Sequence, residues 1–141
     1  MALTQKTAHA CIQRGFAKAQ TLGFKVAIAV VDDAGHLVAC ERMDGALWVT
    51  PEVARAKANA AAAFRTTTLD LEERFNKGRQ LFASNVATLG DYAFVFGRGA
   101  VPIVEGGQVV GAVGVSGAVP ADNDHTIADE AAGHPALPTS H

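Results

Sequence analysis

The spacing of hydrophobic and polar residues predicts that the chain opens with an amphipathic helix. Between Thr4, a favourable N-cap residue, and Gly23, a typical helix stop, four apolar residues recur at helical spacing: Ala8, Ile12, Phe16 and Ala19. One face of this helix is therefore predicted to be buried. The apolar residues at positions 26–31 that follow are consecutive and no longer have helical spacing.

Extended patterns on both sides of a turn sequence predict a β-hairpin. Residues 26–31 and 36–43 read as strands, and Asp33-Ala34-Gly35 between them has the residue types that tight turns favour. Thr50 as N-cap with Pro51 at the first helical position then predicts a helix that runs to about Phe64.

The second half of the chain reads as a short helical region, three strands and a last helix. The helical region spans Leu69 to Phe75 and extends towards Leu89, although Gly78 and Gly90 interrupt it. The predicted strands are Phe94–Phe96, Ala100–Glu105 and Gln108–Ser116, followed by a helix over Asp122–Ala132. Asp122 is its predicted cap, and Pro102 is expected on an edge strand.

This order of elements predicts an α/β fold with a mainly antiparallel sheet of five strands and helices packed on its faces. A chain of 141 residues suits one domain, which we assign to residues 1–133, with residues 134–141 as a flexible C-terminal tail.

Composition removes several classes of function. A net charge of -2 with dispersed basic residues argues against nucleic-acid binding. There is no apolar run long enough for a membrane span and no signal-peptide pattern, and Cys11 and Cys40 lack metal-site or redox spacing. These features favour a cytoplasmic protein with a small-molecule ligand as its partner.

Lys57 is the most informative single residue, because it shares a predicted helix face with apolar residues such as Val53, Ala60 and Phe64. Its amine either reaches water at the edge of this face, or projects into a pocket, where it holds a carboxylate or transfers protons. Arg42 and Asp44, two residues apart at the end of a strand, form either an ordinary ion pair or a binding pair for a polar ligand.

Small residues dominate the last strand, where Ala112, Gly114 and Ser116 leave one face nearly bare. Either the alanine-rich helix 54–63 approaches this face, or a compact ligand bounded by Ser116 and Gly117 does.

Histidine and aspartate residues supply further candidates. Asp124 and His125 lie at the start of the last helix, where Asp124 suits capping or proton transfer, and His125 suits proton transfer or metal binding. His9 borders the apolar face of the first helix, where it is either a packed side chain or a haem ligand. His125 is either an ordinary surface histidine or a second candidate haem ligand on the same chemical grounds.

Four segments taken together carry a resemblance to the GlcG/HbpS family. They are Val31-Asp32-Asp33-Ala34-Gly35-His36-Leu37-Val38, Arg42-Met43-Asp44-Gly45-Ala46, Ala54-Arg55-Ala56-Lys57-Ala58 and Gly111-Ala112-Val113-Gly114-Val115-Ser116-Gly117. The resemblance extends to about Gly133 and implies a three-layer α/β/α fold with a central antiparallel sheet, similar to profilin-like and PduO C-terminal domains. It also implies assembly into dimers or larger rings. It carries over Arg42, Asp44, Lys57, Ser116, Gly117 and Asp124 as site positions, whereas His125 departs from the acidic residue that many relatives have.

The resemblance implies haem binding or haem degradation, with haem as the candidate cofactor and Arg42 and Lys57 as partners of its propionates. The alternative is a cofactor-free isomerase, lyase or hydratase of a small carboxylate in a catabolic pathway. In that alternative Lys57 and Asp124 transfer protons and Arg42 anchors the carboxylate. A non-catalytic binding subunit is the third hypothesis.

Overall fold

The computed structural model describes residues 2–133. The predicted tail, residues 134–141, lies outside the described residues. The elements in chain order are α1 (Gln5–Leu22), β1 (Ala27–Asp32), β2 (Leu37–Arg42), α2 (Thr50–Phe64), α3 (Thr68–Asn76), α4 (Gln80–Val86), β3 (Ala100–Glu105), β4 (Gln108–Ser116) and α5 (Asp122–Ala132).

The strands form one antiparallel sheet in the order β2-β1-β4-β3. β1 is central and pairs with both β2 and β4, with Ala27 opposite Arg42 on one side and Ser116 on the other. β3 pairs with β4 and lies at an edge, which confirms the predicted position of Pro102.

Two helical layers cover the two faces of the sheet. α1 and α5 pack together on one face over the larger core, which includes Ile12, Ile28, Val113 and Ile127. α2 lies on the other face over Val31, Ala100 and Ala112. The predicted three-layer α/β/α arrangement is therefore confirmed.

Small side chains set the distance between α2 and the sheet. A Cβ atom on Gly114 would lie 2.1 Å from the carbonyl oxygen of Ala54 and 2.9 Å from the backbone nitrogen of Ala58. The bare face of β4 is thus covered at Gly114 by the alanine-rich helix, the first of the two alternatives that the sequence left open. These small residues make contacts within the chain, so they give no reason to expect contacts between chains.

The predicted fifth strand is wrong. Phe94 and Phe96 lie in an extended segment outside the sheet, where their rings pack at 5.9 Å each from that of Phe64. The alternation of aromatic residues resembled a strand pattern, but both rings join an aromatic cluster with Phe75 beneath α3 and α4. The described residues form four strands.

Helix starts agree with the sequence in one case and differ in two. Thr4 caps α1 as predicted, and its hydroxyl accepts a hydrogen bond from the N–H of Thr7 at 3.1 Å. The Thr50 hydroxyl instead donates to the carbonyl of Leu47, so it does not cap α2. Asp122 does not cap α5 either, because its carboxylate pairs with Arg98.

Candidate functional site

The turn between β1 and β2 is organised by the carboxylate of Asp32. Its Oδ1 accepts hydrogen bonds from the backbone N–H groups of Ala34 and His36, both at 2.9 Å. Its Oδ2 lies 3.2 Å from Nδ1 of His36. Slight burial acts to raise the pKa of Asp32, but the hydrogen bonds from His36 and Ala34 outweigh it and lower this pKa. A charged carboxylate therefore holds both the turn and the imidazole.

A groove runs between this turn, α2 and the segment 91–94, and we call it the turn groove. It has two adjoining lobes of about 640 Å³ and about 280 Å³, which share Ala34, Gly35, Asn59 and Tyr92. The larger lobe also contains His36, Glu52, Arg55, Ala56, Asp91 and Ala93, and the smaller one contains Asp33, Ala62, Ala63, Arg65 and Phe94. Small-molecule sites have volumes of roughly 300–1,000 Å³, so the turn groove has a suitable size.

Asn59 lies between the two lobes and is almost fully buried. Its Nδ2 donates to the carbonyl of Ala93 at 3.3 Å, which fixes the segment 91–94 against α2. Its Oδ1 has no hydrogen-bond partner within the described part of the chain. A buried acceptor without a partner is unfavourable, and such groups are concentrated where a ligand or water completes the structure.

The walls of the turn groove combine aromatic and cationic side chains. The rings of Tyr92 and Phe94 are in contact, with centroids 4.7 Å apart and planes inclined at 41°. Arg55 and Arg65 are exposed, and within residues 2–133 neither takes part in an ion pair. Arg65 ends α2 with a positive φ of 57°. The turn groove therefore offers apolar contacts and two exposed guanidinium groups, beside the carboxylates of Asp33, Glu52 and Asp91, to a ligand with apolar and anionic parts.

Lys57 and Asp124 form a buried ion pair between the two helical layers. Lys57 Nζ lies 3.2 Å from Oδ2 of Asp124 and donates to the carbonyl of Val115 at 3.1 Å. The residues are 5% and 4% exposed. Burial raises the pKa of Asp124, although the charge of Lys57 and the N–H groups of Ala118 and Gly117 act against this increase. Of the two alternatives for Lys57, an amine that reaches water at the edge of the helix face is therefore wrong.

The backbone around the Lys57–Asp124 pair accommodates the two side chains through a hydrogen bond at Ala118 and close backbone packing at Gly117. Asp124 Oδ1 accepts from the N–H of Ala118 at 2.9 Å. Gly117 has a φ of 125°, and a Cβ there would lie 2.6 Å from the carbonyl oxygen of Lys25. Ser116 is buried at the adjoining end of β4. The structure thus places Ser116 and Gly117 beside the Lys57–Asp124 pair, while the role of these four residues in binding or catalysis stays a prediction.

Arg42 and Asp44 lie apart from both places just described. β2 ends at Arg42, so Asp44 falls in the following turn and does not continue the strand. Both residues are exposed, and within residues 2–133 no ion pair joins them. Arg42 and the His36 side of the turn groove are at opposite ends of the hairpin, about 20 Å apart at 3.4 Å per residue.

His9 and His125 are located on α1 and α5, across the sheet from α2. His9 is exposed. His125 lines a small cleft of about 170 Å³ with Lys18, Thr126, Asp129 and Glu130, and its Nδ1 is buried without a hydrogen-bond partner in the described residues. Burial lowers the pKa of His125, opposed by the nearby Asp129 carboxylate. The haem-ligand role of either histidine stays a prediction.

Sequence reasoning did not select the residues of the turn groove. Arg55 and Asn59 are four residues apart on one face of α2, a spacing that places two polar side chains together within a run of alanine. That spacing could have identified them. The approach of Tyr92 and of the hairpin turn could not be read in the same way, because it depends on how the segment 91–94 packs.

Comparison with known proteins shows the family. The model of the family described as "Haem degrading protein HbpS-like" matches residues 3–133, so the chain belongs to the HbpS-like family. Protein GlcG of Escherichia coli K12 is 40% identical over 116 residues, which are 81% of each chain.

Solved structures agree with this assignment. A double mutant of HbpS from Streptomyces reticuli superposes with a TM-score of 0.83 at 27% identity, covering 94% of this chain and 86% of that one. A crystal structure described as a PduOC:haem complex gives a TM-score of 0.82 at 28% identity, with 95% of each chain covered. These matches therefore show that the family to which the chain belongs is related to haem. The family description gives no support to the alternative of an isomerase, lyase or hydratase.

The residues of the turn groove fit a haem-type group. One groove is lined by an exposed imidazole, two aromatic rings in contact and two exposed guanidinium groups, together with the carboxylates of Asp33, Glu52 and Asp91. The imidazole, the rings and the guanidinium groups are the side chains that suit an iron, an apolar macrocycle and its propionates. Among the described residues, no helix is both long and apolar enough to cross a membrane.

Proposed function

We propose that this protein binds haem or a closely related tetrapyrrole in the turn groove. The observation that carries the proposal is the combination, in one groove, of the neighbouring Tyr92 and Phe94 rings with the exposed guanidinium groups of Arg55 and Arg65. Membership of the HbpS-like family and the PduOC:haem complex support a haem-type ligand.

The residues that line the turn groove make different contacts with a bound haem, according to their chemistry. Tyr92 and Phe94 offer apolar contacts to the macrocycle, and Arg55 and Arg65 pair with carboxylate groups by charge-assisted hydrogen bonds. A bound haem supplies an iron that accepts ligands and changes oxidation state. Asn59 keeps the aromatic segment in place through its bond to Ala93.

The proposal is tested by titrating the purified protein with haemin and following the absorption bands. Replacing Arg55 by Gln removes one charge-assisted contact, worth about 1.5–3 kcal/mol when buried and less in an exposed position. We expect the dissociation constant for haemin to rise about threefold to tenfold, since 1.4 kcal/mol corresponds to tenfold.

Arg42→Gln is the matched control, because it makes the same charge change on an exposed residue at the other end of the hairpin. Haemin affinity in this variant should equal that of the parent. Weaker binding in R42Q together with normal binding in R55Q would move the site to the end of β2. Absence of specific haemin binding by the parent would reject the proposal.

Assembly into dimers or larger rings is a separate proposal. It rests on the family likeness alone, because the small residues of α2 and β4 are buried within the chain.

A further inference from the structure

The imidazole of His36 makes a contact that the hairpin turn does not need for its own structure. The hairpin turn is already closed by Asp32 Oδ1, which accepts the N–H groups of Ala34 and His36. The imidazole adds only the contact of Nδ1 with Asp32 Oδ2 at 3.2 Å, and the His36 side chain is 80% exposed. Exposed ion pairs contribute little to stability, so this contact does not account for the imidazole as a stabilising group.

The contact has a chemical consequence for the other nitrogen of the ring. When Nδ1 donates its proton to a carboxylate, Nε2 carries a free lone pair, and the ring is held in one orientation. Histidines that bind metals usually have this second partner, which fixes the tautomer and raises the basicity of the ligating nitrogen. Asp32 and His36 reproduce that arrangement on the surface of the protein.

The location of His36 connects this arrangement to the turn groove. His36 lines the larger lobe together with Arg55, Asn59 and Tyr92. We propose that His36 binds the iron of the haem-type ligand through Nε2, and that Asp32 is a positioning residue that orients the imidazole. This inference rests on the proposed function and assigns a ligand within the same site.

Other candidate ligands in the described chain are less suitable. His9 and His125 belong to the layer on the opposite face of the sheet. Cys40 on β2 is half-buried, and burial raises the pKa of its thiol, which disfavours the thiolate that iron requires.

Spectroscopy of the haemin complex tests the assignment directly. The parent should show the ferrous iron–histidine stretch in resonance Raman spectra and a histidine-ligated absorption spectrum. In His36→Ala both signatures should disappear and haemin affinity should fall at least about tenfold, a loss typical of impaired metal ligation. Free imidazole at millimolar concentration should restore the iron–histidine band in H36A. His9→Ala tests the competing histidine: the iron–histidine band should persist in H9A, and its loss there would overturn the assignment to His36.

Asp32→Asn tests the positioning role separately. The amide oxygen still accepts the backbone N–H groups of the turn, whereas the charged partner of Nδ1 is lost. We expect the iron–histidine band to persist at a lower frequency and haemin affinity to fall about tenfold. Far-UV circular dichroism verifies that both variants are folded.

The two proposals fail in different ways. An unchanged iron–histidine band in H36A would overturn the assignment of His36, while a weakened R55Q complex would leave the turn groove as the site. Absence of specific haemin binding by the parent would overturn both.

Discussion

α2 contributes to two regions of opposite character, the sealed Lys57–Asp124 pair and the open turn groove. In the first, the amine contacts a carboxylate and a backbone carbonyl, and both residues are almost entirely buried. In the second, the charged groups of Arg55 and Arg65 are exposed and Asn59 Oδ1 lacks a partner in the described residues. The same helix thus carries a completed polar contact and an incomplete one.

The difference teaches that a charge on the apolar side of a helix does not by itself identify a binding site. Lys57 crosses the end of the sheet to reach the first turn of α5, so its charge joins the two helical layers. A group available to a ligand has unused hydrogen-bonding capacity near open space, and in this molecule that description suits the turn groove. The two regions should therefore respond differently to substitution.

The largest effect is expected from Lys57→Met, which removes the amine but keeps most of the stem. Asp124 would then be a buried carboxylate without its cationic partner. Breaking a buried pair in this way costs about 3–5 kcal/mol. We expect the free energy of unfolding, measured by urea denaturation, to fall by that amount. A variant as stable as the parent would show that the pair has no structural role.

The haemin affinity of the folded fraction of K57M tests whether loss of the ion pair also affects the turn groove. We expect it to match the parent, because the turn groove is lined by other residues. A large loss of affinity with an intact fold would support the original prediction that Lys57 serves a ligand. The double variant Lys57→Met with Asp124→Leu should regain only part of the stability, since the N–H of Ala118 then loses its acceptor.

Gly99→Ala should have the next largest effect, because the backbone beside the ion pair has no space for a side chain. A Cβ at this position would lie 2.8 Å from both Lys57 Nζ and the carbonyl oxygen of Val115. Gly99 also has a φ of 136°. Crowding of this kind costs about 1–3 kcal/mol in addition to the cost of the backbone conformation.

Gly78→Ala is the matched control for this prediction. Gly78 has a φ of 119°, and a Cβ there would contact nothing within 4 Å. G99A should therefore be less stable than G78A by about 1–3 kcal/mol in the same urea experiment. Equal losses in both variants would mean that the space around the Lys57 amine is not restricted.

The fold was largely predictable because local patterns and packing agree. The hairpin, α2 and the pairing of Ala100–Glu105 with Gln108–Ser116 all follow from periodicity and turn residues. The segment with Phe94 and Phe96 was misread because alternation is equally satisfied by an aromatic cluster against Phe64. Only the three-dimensional arrangement distinguishes a sheet partner from a cluster of rings.

The site was less predictable, since its parts are close in space and distant in sequence. The sequence singled out Lys57 and Asp124, and the structure joins them, but it also encloses them. The sequence placed His36 at the start of a strand and assigned it no role in a site, because its contact with Asp32 depends on the turn geometry. Tyr92 meets Asn59 and Gly35 only after the segment 91–94 packs on α2.

The smallest effect on stability is expected at His125, which follows Asp124 in the first turn of α5. Burial lowers its pKa from the ordinary value of 6.5, so the folded state favours the neutral imidazole. As the pH falls below about 6.5, the unfolded chain takes up a proton at this residue more readily than the folded chain does. The contribution of the neutral His125 imidazole to the free energy of unfolding is therefore fully present above about pH 6.5 and is lost as the pH falls through the lowered pKa.

Urea denaturation of the parent and of His125→Gln between about pH 8 and about pH 5 isolates this contribution, because other titrating groups affect both proteins alike. The stability of the parent relative to H125Q should decline on acidification, and a difference that stays constant with pH would contradict the buried, neutral state of the imidazole.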